Sequence, residues 1–256
     1  MIDTHCHLDF PAFDADRHQL LQNCQKLGIY KLIIPGVCQK NWQRVIDLSH
    51  DQKWLYPALG IHPCFVDEHG ESSITELKDF ILKQPRVLAV GETGLDFFMK
   101  GYNEPQQRFF FEQQVDLANT LNRPLILHVR KAHDQVASTL KKKGFVYRGI
   151  VHCYSGSYQQ AGRYLDLGFK LGIGGVVTYP SSTRLHKIVR ELPLDSFVLE
   201  TDAPDIPPLG KERQRNSPEY LTRVFDSFTE FRNESKSKVM DTLLQNTISL
   251  FPELKE

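Results

Sequence analysis

Residues 123–156 read RPLILHVRKAHDQVASTLKKKGFVYRGIVHCYSG. Leu125–Leu127 is a short apolar run of the length a buried strand takes. Asp134–Lys143 places apolar residues at helical spacing and stops at Gly144, and Gly149–His152 is a second apolar run. A strand, a helix and a second strand joined by short turns make a crossover between parallel strands. Both strands end on histidine, His128 and His152.

The same alternation extends in both directions. Toward the N-terminus it gives strands at Ile2–Cys6, Tyr30–Ile34, Trp54–Leu59 and Val87–Val90. Helices fall at Arg17–Leu27, Asn41–His50, Ile74–Leu82 and Pro105–Leu121, the last with Pro105 suited to its first turn. Toward the C-terminus come strands Lys170–Ile173 and Phe197–Leu199, and helices Tyr158–Leu167, Ser182–Glu191, Pro218–Phe231 and Lys236–Leu250. Eight βα units in 256 residues fit an α/β fold, the closed (β/α)8 TIM barrel. The rival is an open doubly wound sheet, but no Gly-rich fingerprint follows the first strand and no P-loop spacing occurs. With no linker, repeat or low-complexity tract, residues 1–256 are expected to form a single barrel domain. The least regular stretch, 204–217, is expected to be a long loop at the barrel mouth.

Charge and cysteine usage narrow the function classes. There are 31 Lys plus Arg against 31 Asp plus Glu, so net charge is zero with histidine neutral. A binder that grips long duplex DNA must neutralise many phosphates, and this balance disfavours one. An enzyme that holds one or two phosphates stays allowed. Mean hydropathy is -0.36, and no apolar run reaches the roughly 18 residues of a spanning helix. No membrane association is expected, and no basic leader precedes an apolar segment, so a signal peptide is not expected either. The five cysteines are dispersed and never form CxxC, which disfavours disulfides and zinc-thiolate sites and makes the cytoplasm the default location. No obligate protein partner is inferred, and a monomer is expected.

The ten histidines are informative through their placement. His5 and His7 straddle the end of the first strand, two apart and on one face of an extended segment. Glu92 lies just beyond the fourth strand, His128 ends the fifth, His152 the sixth and Asp202 the eighth. A single histidine at a strand end is more often a hydrogen-bonded structural residue than a ligand. Six metal-capable residues on the C-terminal rim, where active sites of this fold gather, are better explained as a metal centre. Imidazole and carboxylate without thiolate suit Zn²⁺, Mn²⁺ or Fe²⁺. Six residues exceed what one ion takes, so two divalent ions (Zn, Mn or Mg) are expected. His5, His7 and Asp202 would hold one, His128 and His152 the other, and Glu92 would bridge. A hydroxide between them would be the nucleophile, with Asp202 as its proton acceptor; Glu92 and Asp202 are the catalytic candidates.

The motifs IDTHCHLD (2–9), GIHP (60–63), GETGLDF (91–97), RPLILHVRKAHD (123–134), VHCYSGS (151–157), LGIGGVVTYP (171–180) and LETDAP (199–204) run in order through nearly the whole chain. In them the chain resembles the TatD family of metal-dependent deoxyribonucleases, within the amidohydrolase-like barrels. The resemblance implies a divalent-metal 3′ to 5′ exonuclease on DNA, with RNA as a further substrate, and assigns metal binding to His5, His7, Glu92, His128, His152 and Asp202. It also exposes a departure. The family often carries Arg-Gly after ETDAP, whereas this chain reads PPLGKERQRNSPEY, keeping Asn216 and Pro218 only.

Around these residues, His62 and Arg130 are the candidates for contacting substrate, Arg130 through a bidentate fork to phosphate. Asp96 and Asp3 are candidates for orienting a ligand imidazole or the GETGLD loop. Tyr154, Phe97 and Tyr179 could stack on bases, and Lys211, Arg213 and Arg215 make the late loop locally basic. The first functional reading is a phosphodiester hydrolase, a 3′–5′ exodeoxyribonuclease on single-stranded or frayed ends. The alternative keeps the centre and changes the substrate to a small phosphoester, cyclic amide, lactone or aminoacyl ester. A non-catalytic binding protein is disfavoured because the ligand set is complete.

Overall fold

Alternation along each strand sorts side chains into two apolar environments. In the computed structural model, which describes residues 1–255, the strands are β1 (Ile2–Asp3), β2 (Lys31–Gly36), β3 (Leu55–Leu59), β4 (Val90–Asp96), β5 (Leu125–Arg130), β6 (Gly149–Val151), β7 (Phe169–Ile173) and β8 (Phe197–Leu199). They are parallel and hydrogen-bond in chain order. The barrel closes between β8 and β1 through Thr4 N to Leu199 O (3.0 Å) and, at the mouth, Asp202 N to His5 O (2.8 Å). The fold is a (β/α)8 TIM barrel. Residue 256, the last of the expected domain, lies outside the described residues.

One residue set faces inward. Ile2, Ile33, Tyr56, Leu88, Ile126, Ile150 and Val198 fill the barrel, and Leu250, Phe251 and Leu254 plug it from below. The other set, including Leu32, Leu55, Leu125, Leu127, Val151, Leu171 and Phe197, packs against the helices. These are α1 (Arg17–Lys26), α2 (Gln39–Asp51), α3 (Ser72–Leu82), α4 (Glu104–Leu121), α5 (His133–Lys142), α6 (Tyr158–Asp166), α7 (Thr183–Glu191), α8 (Leu221–Glu230) and α9 (Lys236–Leu250). On β5 the alternation decides which residues reach the mouth. Leu125, Leu127 and Val129 belong to the outer layer, Ile126 to the interior, and His128 and Arg130 follow Ile126 upward.

Several strand bounds shift from the sequence expectation, β5 for instance running on to Arg130, and two of the shifts re-place site residues. β1 ends at Asp3 rather than Cys6, because the Asp3 carboxylate takes the His5 N–H at 3.2 Å and the chain bends at Thr4. β4 runs over Val90–Asp96 rather than Val87–Val90, so Glu92 sits inside the strand and not beyond it. Its glycines read as loop residues in the sequence. In the fold Gly94 pairs with His128 across β5, after a register shift between Val90 and Thr93. Among the described residues no helix is long and apolar enough to cross a membrane.

At the start of α5, His133 is buried between Tyr154 and Tyr164, with ring centroids 5.3 and 5.8 Å away. Burial pushes its pKa down to about 4, with Asp134 opposing and Arg184 adding to the shift. The folded chain therefore binds this proton more weakly than the unfolded chain, whose histidine keeps a pKa near 6.5. The resulting stability is complete above pH 6.5 and is lost as pH falls toward 4. Between pH 7 and pH 5 the wild type should lose about 2 kcal/mol more unfolding free energy than His133→Phe in paired urea titrations. Equal losses in the two proteins would refute this account.

Candidate metal centre

Glu92 is the hub of the site. Its carboxylate is buried at the inner wall, and each oxygen faces a different group of imidazoles. Oε2 lies 3.2 Å from His5 Nε2 and 3.4 Å from His7 Nε2. Oε1 lies 2.8 Å from His152 Nε2, 3.0 Å from His128 Nδ1 and 3.3 Å from His62 Nε2. Asp202 Oδ1 completes the first side, 3.6 Å from both His5 Nε2 and His7 Nε2. The structure thus brings the six residues expected at the rim into one cluster: His5, His7, His128 and His152 face Glu92, and Asp202 faces His5 and His7.

The donor set fits divalent cations. The nitrogen pairs His5 Nε2–His7 Nε2 and His128 Nδ1–His152 Nε2 are 3.3 and 3.1 Å apart. Two nitrogens each bound at 2.0–2.1 Å to one tetrahedral ion would be separated by about 3.3 Å. Among the described residues Glu92 Oε2 is buried without a hydrogen-bond partner. Burial lowers His5 far below its usual range and His7 to about 4, so both imidazoles are neutral, the form that ligates. Burial raises the Asp202 carboxyl to about 8, and a bound cation would offset that cost. Burial also pushes the Glu92 carboxyl up, yet the imidazoles of His152, His62 and His5 and a hydrogen bond from His128 outweigh it and hold the group well below the usual carboxylate range.

Surrounding groups fix the ligand orientations unequally. Asp96 Oδ2 accepts from His128 Nε2 at 3.0 Å, which would leave Nδ1 as the ligating nitrogen when a cation is bound. Burial lowers the His128 pKa, but hydrogen bonds to Asp96 and Glu92 carry it up to about 9, so without a cation Nδ1 donates to Glu92. Asp96 is itself held by the N–H groups of Phe98 and Met99. Asp3 acts on His5 through the backbone and not the ring: its carboxylate accepts from His5 N (3.2 Å), and it ties β1 to the segment after β8 through Thr201 N (3.0 Å) and Thr201 Oγ1 (2.6 Å). His62 Nδ1 accepts from Cys64 N at 3.0 Å, so its proton sits on Nε2, the nitrogen that faces the cavity. That makes His62 a hydrogen-bond donor toward the site, although it lies among the ligand atoms.

The cavity above the centre holds about 530 Å³ and is walled by Phe10, Val37, Phe65, Val176 and Ile206 as well as the ligands. Arg130 stands at its edge, paired with Asp96 at 3.4 Å and laid over the Phe98 ring at 4.4 Å. The mouth aromatics are therefore Phe10, Phe65 and Phe98. Of those suggested by sequence, Tyr154 is buried and bonds Ser157 O, Phe97 stacks on Tyr102, and Tyr179 bonds Pro207 O. In the 204–217 loop Arg215 is committed to Asp16 at 2.6 Å and to the Phe13 ring. Asn216 pins the loop by donating to the carbonyls of Thr201, Asp205 and Ile206.

Sequence reading missed Glu200. It is fully buried, takes the Cys153 N–H, and its Oε1 lies 3.9 Å from His152 Nδ1. Burial holds its carboxyl well above the usual range. A Cβ on Gly172 would come within 2.3 Å of Glu200 Oε2, so glycine at that position makes room for the acid. The available signal was strand alternation, which puts Glu200 on the same face as Asp202 two residues later.

The family model described as TatD related DNase matches residues 2–252. The metal-dependent hydrolase YjjV of Escherichia coli K12 is 41% identical over 251 residues, covering 98% of this chain and 97% of the relative. The human deoxyribonuclease TATDN3 is 30% identical over 269 residues, covering 100% and 96%. The crystal structure of YjjV superposes with a TM-score of 0.95 over 98% of both chains. A TatD family hydrolase from Entamoeba histolytica shares the fold at 19% identity, with a TM-score of 0.88 over 98% and 97%.

Proposed function

Because the chain belongs to the TatD family of metal-dependent hydrolases, we propose that its centre hydrolyses phosphodiester bonds of nucleic acid, as a 3′–5′ exodeoxyribonuclease on single-stranded or frayed ends. The observation that carries this reading is the Glu92 carboxylate, one oxygen toward each imidazole group, with the Arg130 guanidinium, held by Asp96 and Phe98, at the cavity edge. The name of the human relative, a deoxyribonuclease, supports the same substrate class. Five free cysteines support a reducing, cytoplasmic setting.

By this reading His5, His7 and Asp202 would hold one divalent ion and His128 and His152 a second, with Glu92 between the two groups. Zn²⁺, Mn²⁺ or Mg²⁺ so bound supplies Lewis acidity and an activated water. The protein's own groups do the rest. Arg130 reaches a non-bridging phosphate oxygen from the edge, and its stack on Phe98 limits the freedom lost when it does so. The Nε2–H of His62 donates to the phosphate or its leaving oxygen. Asp202 lines the cavity and accepts the proton of the attacking water, and Asp96 keeps His128 in the ligating tautomer. The apolar wall of Phe10, Val37, Phe65 and Val176 suits a base or sugar face and limits the site to one strand end.

Protein stripped with chelator and reloaded with Mn²⁺ or Mg²⁺ should shorten 5′-labelled single-stranded DNA one nucleotide at a time, and blunt duplex more slowly. A metal-loaded protein that leaves every labelled strand intact while hydrolysing a lactone or a simple carboxylic ester would replace this reading with the small-ester alternative.

A further inference from the structure

Beside the metal cavity lies a second depression of about 480 Å³, which shares Arg130 and Ser155 with it. Arg130, Lys131 and Arg184 supply three cations to its wall, and Asp134 is the one acid. Asp134 is already engaged, by Arg163 at 2.6 Å and Gln160 Nε2 at 3.2 Å. Arg184 donates to Ser155 O at 3.2 Å, and among the described residues neither it nor Lys131 pairs with a carboxylate. The depression is thus locally positive in a chain whose net charge is zero.

Its floor is suited to an anion as well. The first turns of α5 and α6 open onto it, through His133 and Asp134 on one side and Ser157 on the other. Their N-terminal dipoles add to the positive potential. His133 lines the same wall, is 7% exposed, and among the described residues neither ring nitrogen has a hydrogen-bond partner. The partition between the two cavities is Arg130 lying on Phe98, a ring that is 59% exposed and offers a face on which a base can stack.

We propose that this depression is a phosphate subsite for the phosphate next to the one at the Glu92 centre, held by Lys131 and Arg184, so that the preferred substrate is a strand carrying at least two phosphates. The inference rests on the phosphodiesterase reading above. The second phosphate is a backbone diester or a terminal monoester, since the same cations recognise both.

Metal-loaded wild type is assayed on thymidylyl-thymidine, on its trimer, and on the dimer bearing a 5′-phosphate. The trimer's kcat/KM should exceed the dimer's by about tenfold through a lower KM, the scale of one charge-assisted contact. In the double variant Lys131→Gln/Arg184→Gln the ratio should fall to about one, and Arg184→Lys alone should keep most of it. A gain from the 5′-phosphate equal to that of the third nucleotide assigns the subsite to any second phosphate, and a gain from the trimer alone assigns it to a backbone diester. A trimer-to-dimer ratio that the double variant leaves unchanged overturns the subsite with the phosphodiesterase reading intact. Failure of wild type on all three substrates overturns that reading instead. Both substituted side chains are exposed, so the variant should melt with wild type.

Discussion

Glu92→Gln should lower turnover about a thousandfold or more and leave the barrel folded. The carboxylate faces imidazole nitrogens in two directions, with Oε2 3.2 Å from His5 Nε2 and Oε1 2.8 Å from His152 Nε2. An amide of the same shape can present oxygen to only one side. Whichever way it turns, its NH₂ group faces the other set of imidazoles, and the anionic bridge between the two sides is lost. The barrel should still fold, because volume is conserved and its apolar layers are untouched, although the imidazoles that hold Glu92 ionised lose their anionic partner. Two measurements separate these effects: metal content after dialysis should fall, and thermal unfolding without metal should stay cooperative, with a midpoint at or below that of wild type. A folded Glu92→Gln protein with wild-type metal content and activity would show that the chemistry lies elsewhere.

Gly94→Ala should cost about 3–5 kcal/mol of stability, a fall of about 10 °C or more in melting temperature for a chain of this size. Gly94 has φ +144°, a region that side chains rarely adopt, and a Cβ built on it would lie 2.0 Å from the carbonyl oxygen of His128. Both groups are backbone inside a parallel pair, so neither can swing aside, and relief requires β4 and β5 to separate. That separation would also displace His128, whose Nδ1 sits 3.0 Å from Glu92, so activity should fall with stability. Gly70→Ala is the control. Nothing lies within 4 Å of a Cβ there, and the variant should melt within about 2 °C of wild type. A soluble Gly94→Ala protein that melts like Gly70→Ala would contradict the packing described for these strands.

Much of the candidate site is legible because strand alternation and fold topology do separate tasks. The sequence places His128, His152 and Asp202 at strand ends, and the barrel brings strand ends together. Where alternation holds, the side-chain directions follow: Ile126, His128 and Arg130 rise along one face of β5. Where it breaks, they do not. Counting in twos from the inward-facing Ile2 would turn His5 away from the site. The bend at Thr4, stabilised when the Asp3 carboxylate takes His5 N–H, turns it inward instead. The β4 register shift has a similar effect on Glu92, which a glycine-rich sequence makes look like loop. Glu200 went unassigned because a buried acid is recognisable only when its surroundings are known.

By itself the sequence determines the kind of protein: eight alternating apolar and amphipathic segments, a family pattern from end to end, and a set of imidazoles and carboxylates at the strand ends. These are properties of spacing along the chain, and spacing survives without coordinates. Tertiary structure decides which atom faces which. It divides the Glu92 oxygens between two groups of imidazoles, leaves His62 with its proton toward the cavity, commits Arg215 to Asp16, and leaves Lys131 and Arg184, among the described residues, without a carboxylate partner beside the centre. The physical reason is that charge, tautomer and pairing depend on distances of about 3 Å between residues far apart in sequence, and only closure of the barrel sets those distances.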